Sequence, residues 1–295
     1  MLHGVTARSL SVCRLLGLAF TLLLVIPSGL LSPCILSTLG TVITQSVEAA
    51  TIPKTDFNGD GYSDLAIGVR YEDNASAVNG GAVNVIYGSS DGLSAIELAA
   101  ANGRADQLWT QDSPDVEDVA ERGDDFGSEV ATGDFNNDGY SDLAIGAPEE
   151  GVIDSTGATV REAGAVNVIY GSQEGLRATA ISPGNGRDDQ IWTQNSRGID
   201  GDVQVDDRFG WALATGDFNN DGYADLAIGV PLEFVGGIPR AGAVNVIYGS
   251  QAGLHPEQVS IGNTVSGRWD QIWTQNSTDI EDEVEAGDFF GGSVA

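Results

Sequence analysis

The chain has 295 residues, with 43 acidic against 13 basic side chains and a formal net charge of -30. That balance argues against nucleic acid and anionic lipid as partners. Both cysteines, Cys13 and Cys34, fall in the first fifty residues, so nothing after them supports thiolate-metal, redox or cysteine-nucleophile chemistry. Hydrophobic residues make up 41% of the chain and fall in short regular runs, and there are 40 glycines; this is the composition of an all-β chain with many tight turns rather than of a disordered one.

In chain order, the first segment has the layout of a secretory signal. Arg8 and Arg14 precede the apolar run LLGLAFTLLLVIPSGLL, and the next acidic residue is Glu48. Val47 and Ala49 fit the small-residue positions of a cleavage site, so residues 1-49 are expected to be a signal peptide and the protein to be secreted or held at the cell surface. Two rival readings are a retained membrane anchor, because the uncharged stretch from Leu15 to Val47 is long enough to span, and a lipoprotein signal ending at Cys34, where Pro33 departs from the pattern.

From Asp56 onward one nine-residue stretch recurs three times: DFNGDGYSD at Asp56 to Asp64, DFNNDGYSD at Asp134 to Asp142, and DFNNDGYAD at Asp217 to Asp225. Side-chain oxygens at alternate positions, followed by a main-chain carbonyl at the seventh, suit a curled loop around one hard cation. The expected ligands are Asp56, Asn58, Asp60, Tyr62 (carbonyl) and Asp64; then Asp134, Asn136, Asp138, Tyr140 and Asp142; then Asp217, Asn219, Asp221, Tyr223 and Asp225. The cofactor expected is Ca2+ at three sites. Gly61 sits where the loop turns sharply and a positive φ is favoured. Position twelve is Ile67, Ile145 or Ile228, where an EF-hand would need a carboxylate and a following helix; the loops therefore join two strands. The plain alternative is that Asp, Asn and Gly clusters are simply turns.

The loops are spaced by 78 and 83 residues (Asp56, Asp134, Asp217). One period holds four strand candidates: Phe126 to Phe135, Asp142 to Pro148, Gly164 to Ser172 and Gln190 to Gln194. Four short strands per period, with glycines at their ends and no helical periodicity, match a blade of a β-propeller. The core GAVNVIYG recurs at Gly81, Gly164 and Gly242 as a nearly continuous apolar run, the pattern of a strand buried on both faces. Trp109, Trp192 and Trp273 recur once per period; they read as packing residues, with a carbohydrate-stacking platform as the alternative.

Phe126-Gly127, the loop DFNNDGYSD and Gly146-Ala147-Pro148 together resemble the FG-GAP repeat of integrin α-subunit propellers and their bacterial relatives. The third copy keeps Phe209-Gly210 and reads Gly229-Val230-Pro231; the first lacks the FG strand and reads Gly68-Val69-Arg70. The resemblance implies propeller blades across 50-295, divided approximately into 50-111, 112-194, 195-275 and the start of a further repeat at 276-295. It implies calcium loops between the first two strands of a blade, and extracellular adhesion or ligand binding, usually without catalysis. The family usually has seven blades, so three calcium loops predict an incomplete ring. Phe290 to Ala295 aligns with Phe126 to Ala131, and an open arc with Gly291 to Ala295 unpaired or loosely docked is expected. Either a fragment of a longer propeller or self-association that completes a ring would account for this.

The connections from second to third strand, and from fourth strand to the next blade, are expected on the face opposite the calcium loops. The latter are densely acidic, with Asp112, Asp115, Glu117, Asp118, Glu121, Asp124 and Asp125 in one of them. The leading functional expectation is a non-enzymatic adhesion or binding module for an extracellular protein or glycan, touching a membrane only if the first segment is retained as an anchor. The alternative is an exported hydrolase, or the accessory propeller of a hydrolase, acting on glycans or phosphodiesters; no carboxylate pair recurs at fixed positions to support it.

Overall fold

The computed structural model describes residues 55-74, 77-95, 106-179, 189-256, 260-261, 264-265, 270-278 and 280-295. The expected signal peptide lies outside the described residues. All described residues belong to one compact unit, Thr51–Ala295.

Among the described residues every regular element is a strand. Blade 1 has three, β1 (Leu65–Val69), β2 (Ala82–Ile86) and β3 (Gln107–Trp109), in that spatial order. Blade 2 follows with β4 (Glu129–Gly133) and β5 (Asp142–Ala147), a small side hairpin of β6 (Val152–Ile153) and β7 (Thr159–Val160), then β8 (Ala165–Ile169) and β9 (Gln190–Trp192). Blade 3 has β10 (Ala212–Gly216), β11 (Asp225–Val230) and β12 (Ala243–Ile247), a second side hairpin of β13 (Ser260–Ile261) and β14 (Thr264–Val265), and β15 (Gln271–Trp273). Blades 2 and 3 are four-stranded antiparallel meanders, ordered β4-β5-β8-β9 and β10-β11-β12-β15. The three-stranded first blade matches the missing FG strand, and the ring is not closed.

The second and third strands carry the core. All six residues of β5 and β11 and all five of β8 are buried, as the unbroken apolar runs require of strands covered on both faces. The register fixes which ends meet. Gly133 pairs with Asp142 where the DFNNDGYSD loop closes β4 onto β5. Ala147 pairs with Ala165 at the far end of the blade. Because β9 runs antiparallel to β8, the linker leaving Trp192 starts at that same far end. The three loops therefore share one end of the blades, and the strand connections and interblade linkers share the other.

The FG and GAP residues are the interblade joint. Phe126 and Phe209 are completely buried, each worth roughly 1.5-3 kcal/mol by burial. The Phe126 N–H donates to the Gly80 carbonyl at 3.2 Å and Phe209 to Ala163 at 2.9 Å. A Cβ built on Gly68 would stand 2.0 Å from the carbonyl oxygen of Gly127, so the glycine of one blade's second strand receives the next blade's FG carbonyl. Phe290 docks the same way, donating to Ala241 at 3.0 Å and bridging Gly242. Gly291 is thus seated against blade 3 rather than loose, while residues 292-295 form no strand.

Two further contacts tie blades together. The Tyr170 hydroxyl donates to Gln190 Oε1 within blade 2 and accepts the Leu254 N–H from blade 3 at 3.2 Å. Tyr87 does the same with Gln107 and Leu176. Trp109 is 8% exposed and lies in the core of blades 1 and 2; Trp192 packs against the core of blades 2 and 3. Both are packing residues, as the sequence suggested.

Candidate metal centres

The three loops repeat one hydrogen-bond pattern. In the first, Asp56 accepts from the backbone N–H of Asp60 through Oδ1 at 3.1 Å and from Gly61 through Oδ2 at 2.9 Å. Asn58 Oδ1 also accepts from Asp60 at 3.0 Å, and Asp60 Oδ1 accepts from Tyr62 at 2.8 Å. The corresponding contacts in the second loop, through Asp134, Asn136, Asp138 and Tyr140, span 2.9-3.0 Å. Those in the third, through Asp217, Asn219, Asp221 and Tyr223, span the same range. Asp56 Oδ1 and Asn58 Oδ1 both meet one N–H, so the first and third positions converge.

Backbone conformation explains the residue choice. Gly61, Gly139 and Gly222 at the sixth position have φ of 95°, 93° and 93°, and Gly59, Asn137 and Asn220 at the fourth have φ of 69°, 53° and 59°. Only Gly and, less readily, Asn or Asp enter that region cheaply. The seventh position is held by packing: a Cβ on Gly88 would meet the Tyr62 Cβ at 2.9 Å, and Gly171 and Gly249 stand likewise against Tyr140 and Tyr223.

The ninth position plays a second part that the sequence did not reveal. Asp64 Oδ2 accepts from the Phe57 N–H at 2.7 Å and Oδ1 from the Gly88 N–H at 2.8 Å, so one carboxylate ties the loop to the turn after β2. Asp142 bridges Phe135 and Gly171, and Asp225 bridges Phe218 and Gly249. Burial is the main cause that pushes the Asp64 carboxyl up to about 6, and Asp56 and Asp60 add to it against the two N–H donors. Asp225 is raised to about 6 and Asp142 well above its ordinary value for the same reasons. The glycine in each YGS turn was the available signal.

The donor set fits a hard cation. Each loop offers three carboxylates and an amide oxygen, with no nitrogen or sulfur ligand, and every carboxylate oxygen bound to one N–H keeps a lone pair. The carboxylates of a loop are nonetheless spread around the backbone. Among the described residues the one group of three acidic side chains whose ligand oxygens all lie within 4.8 Å is Glu121, Asp124 and Glu150, on the opposite end of the blades.

The first two loops are covered by the following blade. Ser141 N donates to Asp56 O at 2.9 Å and Ser172 N to Phe57 O at 3.1 Å; Ala224 N donates to Asp134 O at 3.0 Å and Ser250 N to Phe135 O at 3.1 Å. The third loop has no such cover among the described residues, and Phe218 is 53% exposed where Phe57 and Phe135 are fully buried.

The family model for the FG-GAP repeat matches residues 50-86, 126-168 and 209-247. Phosphatidylinositol-glycan-specific phospholipase D of Homo sapiens is 31% identical over 221 residues, 74% of this chain and 23% of that protein. Its Bos taurus counterpart is 29% identical over 224 residues, with the same shares of the two chains. Integrin alpha-8 of Mus musculus is 37% identical over 142 residues, 46% of this chain and 11% of that one. The chain thus spans less than a quarter of the length of these relatives.

Proposed function

Taking as premise that the chain carries FG-GAP repeats, we propose that it is an extracellular, calcium-stabilised propeller module that binds a protein or glycan ligand and catalyses no reaction. The observation that carries this reading is the threefold identity of the loops. Three segments spaced by 78 and 83 residues curl in the same way, each around three carboxylates and one asparagine. One Ca2+ per loop would be held by Asp56, Asn58, Asp60, the Tyr62 carbonyl and Asp64; by Asp134, Asn136, Asp138, the Tyr140 carbonyl and Asp142; and by Asp217, Asn219, Asp221, the Tyr223 carbonyl and Asp225. The cation offsets the mutual repulsion of those carboxylates and rigidifies the end of each blade. Export follows from the layout of residues 1-49. Among the described residues no helix is long and apolar enough to cross a membrane.

The test is calcium titration by calorimetry, followed by a protein and glycan array probed in calcium and in chelator. Uptake of calcium with calcium-dependent capture of an extracellular ligand is expected; a chain that takes up no calcium sinks the reading. One observation favours a second reading, an accessory propeller to a hydrolase: the match to the phospholipases covers 74% of this chain. Turnover of glycoside or phosphodiester substrates by the full chain, abolished by one acidic-loop substitution, would establish that alternative.

A further inference from the structure

Every joint is entered by the same turn, and its corners differ from joint to joint. The residue before FG is Asp125, Arg208 or Phe289, with φ of 58°, 62° and 54°. Its carbonyl accepts the N–H of the residue after FG, which is Ser128, Trp211 or Gly292, at 2.9, 3.2 and 2.8 Å. At the first two joints the corner before FG is met by an opposite charge from the blade behind: Arg70 Nη2 lies 2.7 Å from Asp125 Oδ2, and Glu149 Oε1 lies 3.1 Å from Arg208 Nη2. The second joint also carries a ring after FG, the half-buried Trp211, with the Arg208 and Arg70 guanidinium carbons 5.3 and 5.9 Å from its centroid. At the third joint Leu232 takes the place of Glu149, Phe289 that of Arg208 and Gly292 that of Trp211, so ion pair and indole are both gone. A cavity of about 300 Å³ opens there, lined by Arg208, Trp211, Pro231, Leu232, Phe289 and Gly292. A Cβ built on Gly292 would stand 4.0 Å from the Pro231 Cβ, and the glycine puts no side chain into that space.

Charge surrounds this apolar floor on one side. Glu281, Asp282, Glu283, Glu285 and Asp288, in the linker that ends at Phe289, are all exposed, and among the described residues none of them stands in an ion pair. Asp288 Oδ2 accepts the Glu285 N–H at 2.7 Å, which folds the linker into a turn directly before Phe289. Arg240 meets this linker through its main-chain carbonyl, which accepts the Gly287 and Phe289 N–H groups at 3.1 and 3.2 Å. The cation in the cavity wall is already paired, since Arg208 Nη2 faces Glu162 Oε2 at 3.3 Å as well as Glu149. The rim is therefore net negative, and Phe289, 44% exposed, presents its ring at the boundary between rim and floor.

We propose that the cavity at the third joint takes an aromatic side chain from a basic peptide segment of a partner protein, with lysines or arginines beside that ring meeting Glu283, Glu285 and Asp288. The proposal rests on the reading of the chain as a binding module and names its ligand class. The cavity is at the small end of the range for ligand pockets, a size for one ring rather than for a long chain. An aromatic ring brings a large apolar area and packs edge-on or offset against the rings of Trp211 and Phe289. The chain makes the same arrangement within itself at the second joint, where its own Trp211 fills the corner that Gly292 leaves open. Cations flanking the ring are drawn by the unpaired carboxylates, which set partner choice and speed of encounter more than final affinity. A buried aromatic anchor inside a charged rim is the common build of a protein-binding hot spot.

The test titrates the isotope-labelled full chain, in calcium, with three end-blocked peptides, Lys-Trp-Lys, Lys-Ala-Lys and Glu-Trp-Glu, and follows the backbone amides by NMR. Lys-Trp-Lys is expected to shift the amides of Trp211, Phe289 and Gly292 and to bind about tenfold more tightly than either control, with the advantage over Glu-Trp-Glu shrinking as salt is raised. Two variants close the cavity with the chain's own alternatives: L232E/F289R copies the Glu149 and Arg208 pair, and G292W copies Trp211. Both place residues that the same turn already holds at the second joint, and an unchanged melting temperature checks that they fold. Each is expected to lose the shifts, and E283Q/E285Q to weaken Lys-Trp-Lys while leaving Glu-Trp-Glu no weaker. Equal binding of the three peptides, shifts confined to other residues, or full binding by L232E/F289R would overturn the proposal. So would an uncharged oligosaccharide that shifts these three amides where the peptide does not. Array capture of a ligand that L232E/F289R leaves intact would keep the module reading and overturn this one.

Discussion

A Cβ placed on Gly146 would stand 2.2 Å from the carbonyl oxygen of Gly210, so blades 2 and 3 touch, backbone to backbone, through the absence of a side chain. Gly146→Ala must push the two blades apart, because its neighbour is a main-chain atom that cannot rotate away. A loss of about 1-3 kcal/mol is expected, read as a lower denaturation midpoint in urea. Gly151→Ala, where the added methyl would meet only the Thr159 side chain at 3.2 Å, is expected to be near neutral.

Metal removal should destabilise the chain. Extracellular calcium modules bind at about 10⁻⁴ to 10⁻³ M, so at about millimolar calcium each loop gains on the order of 1 kcal/mol by mass action. Chelation is expected to lower the melting temperature by several degrees. Asp138→Ala should reproduce about a third of that shift and remove the response of one site in a titration.

The loops should not release their ions together. Asp56, Phe57, Asp134 and Phe135 have their carbonyls held by the following blade, whereas Asp217 to Gly222 are exposed. Pre-organisation of the first two should favour binding by about 1 kcal/mol. Calcium affinity should therefore fall about fivefold from the first two loops to the third. Asp221→Ala should delete the weakest phase of the titration and Asp60→Ala a tight one; the reverse order would refute the argument from cover.

A pH dependence comes from Asp270, which is 2% exposed and accepts from the Asp200 N–H at 2.7 Å and from Asn245 at 3.2 Å. Burial, with the Asp200 charge, pushes its carboxyl from 3.8 to about 6 despite those donors. A raised carboxyl favours the folded state below its unfolded pKa, and that contribution is lost as pH rises through the folded one. Asp270→Asn should thus gain stability relative to the wild type between pH 4 and pH 7, by about 2-3 kcal/mol. Denaturant midpoints of both proteins at the two pH values check this, and parallel curves would refute it.

Much of this fold was legible because its units repeat. GAVNVIYG announced a strand covered on both faces, and the structure buries every residue of its second copy, β8, together with β5 and β11, whereas β1 in the first blade stays largely exposed. The face carrying the loops followed from strand count alone. What the sequence withheld were relations between repeats. Phe126 and Gly68 lie far apart in the chain, and nothing local says that an FG carbonyl needs the missing Cβ of the preceding blade. Asp64 read as a ligand, yet its contacts with Phe57 and Gly88 depend on where the turn after β2 comes to rest. The hydrogen bonds from Gln111 to Asp118 and Glu150 likewise exist only because the linker's path brings those partners to it.

The carbonyls of the first two loops give the chain a polarity. Each loop hands the carbonyls of Asp56 and Phe57, or Asp134 and Phe135, forward to main-chain amides of the blade after it, and among the described residues no main-chain carbonyl of a following blade accepts an amide of the loop behind. Loosening at one loop is therefore felt downstream first. Hydrogen exchange in low calcium should spread from the third loop separately from the first two, whereas a lesion at Asp60 should also unprotect the amides of Ser141 and Ser172 in blade 2 while those of Ala224 and Ser250 in blade 3 stay protected. The blades act as a row of dominoes with a front and a back.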